Sequence, residues 1–148
     1  MPTAGEKDFV KFLRDHRVRV TPNRLTVFRA MQNSSKPLTV PDLAQAVENS
    51  GLNTATLYRI METLTDLEVV HPVLQDHQSV AYELVEPFAQ HHDHLVCRRC
   101  GRTVDVYDCR LEDAVQSLSD ESGFRIDFHQ MEFHGLCPEC QKSATPRP

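Results

Sequence analysis

The spacing of apolar positions changes character about halfway along the chain. Phe9, Phe12 and Leu13 mark a first amphipathic segment, and Leu25, Phe28 and Met31 then recur every three residues with Val27 beside them. A third set, Leu43, Ala46 and Val47, and a fourth, Leu57, Ile60, Met61, Leu64 and Leu67, keep the same period, which predicts four helices. Their starts are marked. Thr21-Pro22 pairs a hydroxyl cap with proline at the first helical position, where its missing N–H costs nothing. Thr39-x-x-Asp42 has the form of a capping box, Ser50-Gly51 a stop, and Asn53 or Thr54 caps the fourth helix.

After Leu67 the runs shorten. Residues 69–74 and 79–85 flank the polar stretch Gln75-Asp76-His77-Gln78, which predicts a β-hairpin with His77 exposed in its turn. Three helices, a fourth and a hairpin follow the order of a winged helix-turn-helix. Glu86-Pro87 reads as a break, which divides the chain into a winged helix over 1–86, a hinge over 87–91, a second unit over 92–141 and a tail over 142–148. In the second unit, residues 94–97 and 102–107 read as strands, 111–118 as a helix and 124–133 as a third strand. The expected class is α+β, a winged helix followed by a small α/β domain.

Composition narrows the class. With 148 residues, 40% of them hydrophobic, the chain can bury one core or two small ones, and a disordered chain is excluded. No run approaches the roughly 18 apolar residues of a membrane span, and residues 1–11 lack the apolar core of a secretory signal, so a cytoplasmic protein with no membrane partner is expected. The net charge of −5 conceals a division: residues 1–40 carry +5 and the remainder −10. A basic end on an acidic chain is compatible with nucleic-acid binding, and equally with ordinary solvated helix faces.

Two Cys-x-x-Cys pairs, Cys97/Cys100 and Cys137/Cys140, are separated by 36 residues. Four soft sulfurs suit tetrahedral Zn²⁺ with no open coordination position, hence a structural site. Two disulfides or a redox pair are the alternatives, and the expected cytosolic setting disfavours both. Cys109 is left over. His91-His92-Asp93-His94 ends three residues before Cys97. If that stretch is extended, alternation sends His92 and His94 to one face and His91 and Asp93 to the other, so one short strand can serve two metal sites. Imidazole and carboxylate accept Zn²⁺, Fe²⁺, Mn²⁺ or Ni²⁺. On the fourth helix, Thr54, Tyr58, Arg59 and Glu62 turn to solvent when Leu57, Ile60 and Leu64 turn inward. Thr54 suits a phosphate, Arg59 a guanine edge or a phosphate, and Tyr58 a thymine methyl, with Arg17, Arg19 and Arg24 upstream.

Thr56-Leu57-Tyr58-Arg59, the run His-His-Asp-His-x-x-Cys-x-x-Cys-Gly at 91–101 and Gly135-Leu136-Cys137-x-x-Cys140 together resemble the ferric uptake regulator superfamily over residues 8–140. The resemblance implies a homodimeric, metal-dependent DNA-binding repressor whose second unit is the dimerisation domain, with Thr56 also at the DNA. It implies structural zinc on Cys97, Cys100, Cys137 and Cys140. A sensory site would draw on Glu83, His92 and His94, and a further site on His91, Asp93, Glu112 and His129. Pro37 stands where many iron and peroxide sensors carry a histidine, whereas His71 stands where zinc regulators place a ligand. His71, Glu83, His92 and His94 therefore form the expected regulatory set, with Zn²⁺ favoured over Fe²⁺ or Mn²⁺. Zinc regulators often add a cysteine where this chain has Val85, while the stretch 131–137 looks more like the zinc branch. Asp105 is a spare carboxylate that some relatives use. The implied partner is an AT-rich inverted-repeat operator. A zinc hydrolase and a protein-binding zinc adaptor are the readings from other classes, and no His-Glu-x-x-His helix supports the hydrolase.

Overall fold

A computed structural model describes residues 5–75, 79–107 and 109–143, without the side chains of Leu74, Gln75 and Cys109. The expected exposure of His77, the hairpin turn over 76–78, the environment of the Cys109 thiol and most of the tail lie outside the described residues. The chain forms two compact units, Met1–Gln90 and His91–Pro148.

In the first unit, α1 (Glu6–Asp15) and α2 (Pro22–Gln32) are followed by β1 (Leu38–Thr39), α3 (Val40–Ala46), a 3-10 turn (Glu48–Ser50) and α4 (Thr54–Asp66). The strands β2 (Val70–Gln75) and β3 (Ser79–Leu84) complete it. The caps sit where the side chains allow them. Thr21 Oγ1 accepts the Arg24 N–H, Asn53 Oδ1 accepts the Thr56 N–H, and Thr39 and Asp42 bond reciprocally. Gly51, at φ 72, turns the chain out of the 3-10 segment in a conformation that suits a residue without Cβ. The apolar stripes converge: Phe9, Leu13, Val27, Phe28, Leu43, Leu57, Met61 and Leu64 are all essentially inaccessible. Phe9 and Phe28 stack at 4.0 Å, and Phe88 meets both edge-on at 5.8 and 5.6 Å. Phe88 thus belongs to the core of the first unit although it follows Glu86-Pro87.

β1 was not legible in the sequence, because two residues show no period. It adds to β3 in the antiparallel order β1-β3-β2, and His71 faces Glu83 in that register.

The second unit contains β4 (Asp93–Cys97), β5 (Thr103–Val106), α5 (Cys109–Ser122), β6 (Glu132–Gly135) and a short α6 (Pro138–Lys142). Its sheet runs β5-β4-β6, with β5 antiparallel and β6 parallel to β4. The strand expected over 124–133 is corrected: only its end is a strand, at 132–135. The reason is register. Glu132 pairs with His94 and Gly135 with Cys97, so residues before 131 run past the start of a five-residue β4 and meet no strand there. Among the described residues of this unit, no aliphatic or aromatic side chain is buried; Asp93, His94, Cys97 and Cys140 are. No described helix is long and apolar enough to cross a membrane.

Candidate metal centres and nucleic-acid interface

The four cysteines converge. Cys97 ends β4, Cys100 lies on the turn that Gly101 closes at φ 74, and Cys137 and Cys140 flank the start of α6. All four sulfurs lie within 4.8 Å of one another, and Cys100 Sγ is 3.7 Å from Cys137 Sγ. Zinc–sulfur bonds of about 2.3 Å in a tetrahedron put sulfurs about 3.8 Å apart, so the set fits one ion. Backbone N–H groups of Cys100 and Cys137 point at Cys97 and lower its thiol to about 6. The Cys137 N–H donates to Cys97 Sγ at 3.3 Å. Cys140 is pushed up to about 12 by the neighbouring Cys137 sulfur and by burial. Arg99 donates to the Cys140 and Ser143 carbonyls at the end of α6, and Arg102 pairs with Glu139 at 2.8 Å, which fixes the second pair against the first.

Six residues upstream the chain supplies a second set. His91 Nε2 lies 2.8 Å from His129 Nε2, and both imidazoles lie 3.9 Å from the Asp93 carboxylate. The three ligand atoms fall within 4.8 Å of one another. Two ring nitrogens and a carboxylate oxygen that close suit a divalent cation. Asp93 is oriented by the Met131 N–H, which donates to it at 2.9 Å. Glu112 stands exposed in the first turn of α5 and is not brought into this group.

A third cluster lies on the other face of β4. The His92 and His94 rings are 4.9 Å apart, and His94 Nδ1 is 3.3 Å from Asp105 Oδ1, with His92 Nε2 at 4.0 Å. Asp105 is there because it is the cross-strand partner of His94. Residue periodicity named both histidines but not their carboxylate, since pairing register is invisible along one strand. In the first unit, His71 Nε2 lies 2.8 Å from Glu83 Oε1 across the β2–β3 ladder.

The first unit also presents the basic and hydroxyl residues. Thr54, Tyr58 and Arg59 are exposed on α4, Tyr58 by 55%, whereas Thr56 is half-buried. Arg17 and Arg19 are exposed on the segment between α1 and α2. Arg24 is half-buried and donates to the Arg19 carbonyl, bracing that segment.

A winged helix joined to a small unit rich in thiolate and imidazole clusters defines a metal-responsive regulator. A model of the ferric uptake regulator family matches residues 15–134, and the chain belongs to that family. It is 31% identical over 139 residues to the ferric uptake regulation protein of Bacillus subtilis, covering 91% of this chain and 93% of that one. The Helicobacter pylori ferric uptake regulator, a structure described as having three functional metal binding sites, shares the fold with a TM-score of 0.77. The identity there is 18%, and the match covers 98% of this chain and 100% of that one. A zinc uptake regulator solved with zinc and DNA is 27% identical, with a TM-score of 0.60 and 93% of each chain covered. The family comprises metal-responsive transcriptional regulators, not classic enzymes, which leaves the hydrolase reading without support.

Proposed function

We propose that this chain is a metal-dependent transcriptional repressor that acts in the cytoplasm as a homodimer on an AT-rich inverted-repeat operator. The observation that carries this reading is the division of labour along residues 91–97. Cys97 joins the four-sulfur set, His91 and Asp93 meet His129, and His92 and His94 meet Asp105. One segment thereby combines a closed site suited to permanent metal with nitrogen–oxygen sites suited to exchange.

Cys97, Cys100, Cys137 and Cys140 hold structural zinc. His71 and Glu83 from the first unit, with His92 and His94 from the second, form the regulatory set. His91, Asp93 and His129, with Glu112, form an additional site. Because the regulatory ligands come from both sides of the Glu86–His91 segment, their closure on one ion couples metal occupancy to the spacing of the two recognition helices in the dimer. Thr54, Thr56, Tyr58 and Arg59 on α4, with Arg17, Arg19 and Arg24, contact the duplex. Zn²⁺ is favoured over Fe²⁺ or Mn²⁺ for the regulatory set, supported by His71 at the start of the wing and by Pro37 before α3 in place of a further imidazole.

Fluorescence anisotropy on an AT-rich inverted repeat, with Zn²⁺, Fe²⁺ and Mn²⁺ titrated separately, tests the proposal. The expected result is tight binding only with added metal, at the lowest concentration for Zn²⁺. Equal affinity with and without metal, or no binding in any condition, contradicts it.

A further inference from the structure

The four cysteines are not held in the same way. Three of them are placed by the sheet and its turns. Cys97 is the last residue of β4, and its N–H donates to the Arg102 carbonyl at 2.8 Å. Cys100 lies in the turn closed by the Gly101 N–H on the Cys97 carbonyl at 2.9 Å. Cys137 follows closely on β6, with its N–H on Cys97 Sγ at 3.3 Å. Cys140 is the exception. It sits within α6, a helix of 5 residues, well short of the roughly 12 at which an isolated helix begins to hold in water. No described strand or helix packs along α6 to any extent.

The last turn of α6 is gripped from the other cysteine pair. Arg99 is half-buried inside the Cys97–Cys100 loop and donates through Nη1 to the carbonyls of Cys140 and Ser143, at 2.5 and 3.0 Å. A guanidinium at the final carbonyls of a helix is favoured by charge and by dipole direction, and it satisfies oxygens that lack a partner within the helix. Arg102 makes a second link, to Glu139, but those side chains are 54 and 69% exposed, where an ion pair contributes little.

We propose that Cys140 is the ligand through which the four-cysteine set opens, and that Arg99 is the positioning residue that sets how fast the set releases its ion. This rests on the structural-zinc reading above. When the bond between zinc and Cys140 breaks, the sulfur leaves with its electron pair and takes up a proton from solvent. The ion keeps three sulfurs, and the vacated position admits a competing chelator. Arg99 acts on this step through the backbone. While it holds the Cys140 carbonyl, the sulfur stays aimed at the ion and rebinding outruns exchange. The first cysteine pair thereby keeps the second closed.

The experiment follows zinc transfer from the full chain to a chromophoric chelator in the presence of N-ethylmaleimide, with the labelled thiols identified by peptide mapping. In the parent, label enters Cys140 before Cys97, Cys100 or Cys137. Arg99→Ala releases zinc about 10- to 100-fold faster, the range expected for loss of a hydrogen bond from a charged group. Arg99→Lys, which keeps a cationic donor, recovers a large part of the hold, and Arg102→Ala stays within about fivefold of the parent. Simultaneous labelling of the four cysteines, or first labelling at one of the other three, overturns the proposal. That result is read on the parent and depends on no variant folding. An unchanged rate in Arg99→Ala also overturns it, as does an equal acceleration in Arg102→Ala, which would assign the effect to surface charge. In each of these cases the structural-zinc reading stands. A parent that neither carries nor takes up zinc overturns that reading and the proposal with it.

Discussion

Two bulky residues hold a backbone conformation that glycine usually occupies, Arg17 at φ 59 and Glu68 at φ 56. Both close a helix in the same way. The Val18 N–H reaches the Leu13 carbonyl at 2.8 Å and the Val69 N–H the Leu64 carbonyl at 2.9 Å, while Arg17 and Glu68 donate to Arg14 and Thr65. A side chain there costs roughly 1 kcal/mol relative to glycine, partly offset by the freedom glycine adds to the unfolded chain. Glu68→Gly is expected to stabilise the protein by about 0.5–1 kcal/mol in thermal melts and to leave duplex affinity unchanged. Arg17→Gly should stabilise it similarly but weaken the duplex, because an exposed cation is removed from the proposed interface. Unchanged affinity for Arg17→Gly would remove Arg17 from that interface. At this scale the sequence was most informative where chemistry follows a local period. Alternation separated His92 and His94 from His91 and Asp93, and both pairs occupy distinct clusters. Asp105 joined one cluster through cross-strand register and His129 the other from 38 residues away, neither of which local spacing can show.

Elements with explicit end signals were legible, and those defined by tertiary pairing were not. The capping box of α3 is an example of the first kind. The Thr39 hydroxyl and N–H both donate to Asp42 Oδ2, at 2.7 and 2.9 Å, and hold that carboxyl below the usual carboxylate range. Thr39→Ala is expected to cost about 1 kcal/mol in chemical denaturation. Since the folded value of Asp42 is depressed, its stabilisation is complete above the ordinary aspartate range near pH 4 and fades as pH falls through the lower folded value. Asp42→Asn should therefore differ from the parent at pH 7 and converge with it in acid. Persistence of the full difference in acid would show that ionisation of Asp42 contributes nothing. The segment 124–131 is an example of the second kind. Phe124, Ile126 and Phe128 alternate as a strand would, yet β4 is too short to pair with them, and they are 75, 36 and 54% exposed.

Across the whole molecule, the two units are stabilised by different physics. The first has an aliphatic and aromatic core with Phe9, Phe28 and Phe88 at its centre. The second brings together thiols, imidazoles and carboxylates instead, so with the proposed zinc on its four cysteines its order is expected to depend on metal. At neutral pH, Cys140, pushed up to about 12, is protonated in the metal-free chain, whereas Cys97, lowered to about 6, is mostly thiolate. Zinc binding must expel the protons of Cys140 and of Cys137, whose thiol is also raised by its neighbours and burial, and below about pH 6 that of Cys97 as well, so affinity falls as pH falls. Stripping zinc at mildly acidic pH is expected to abolish amide protection in residues 93–143 while the first unit keeps its own. Loss of protection in both units together would contradict a separately held core.

In the proposed regulator, one set of ligands keeps its ion while another exchanges it and thereby controls the duplex. Metal content and operator affinity measured on the same samples, for the parent and His92→Ala, during stepwise chelation, test this most directly. The parent is expected to retain one zinc per chain through mild chelation and to lose operator affinity in step with a second metal. His92→Ala should keep the first zinc and the folded dimer but show no metal-dependent affinity. Tight, metal-dependent operator binding by His92→Ala would contradict the account.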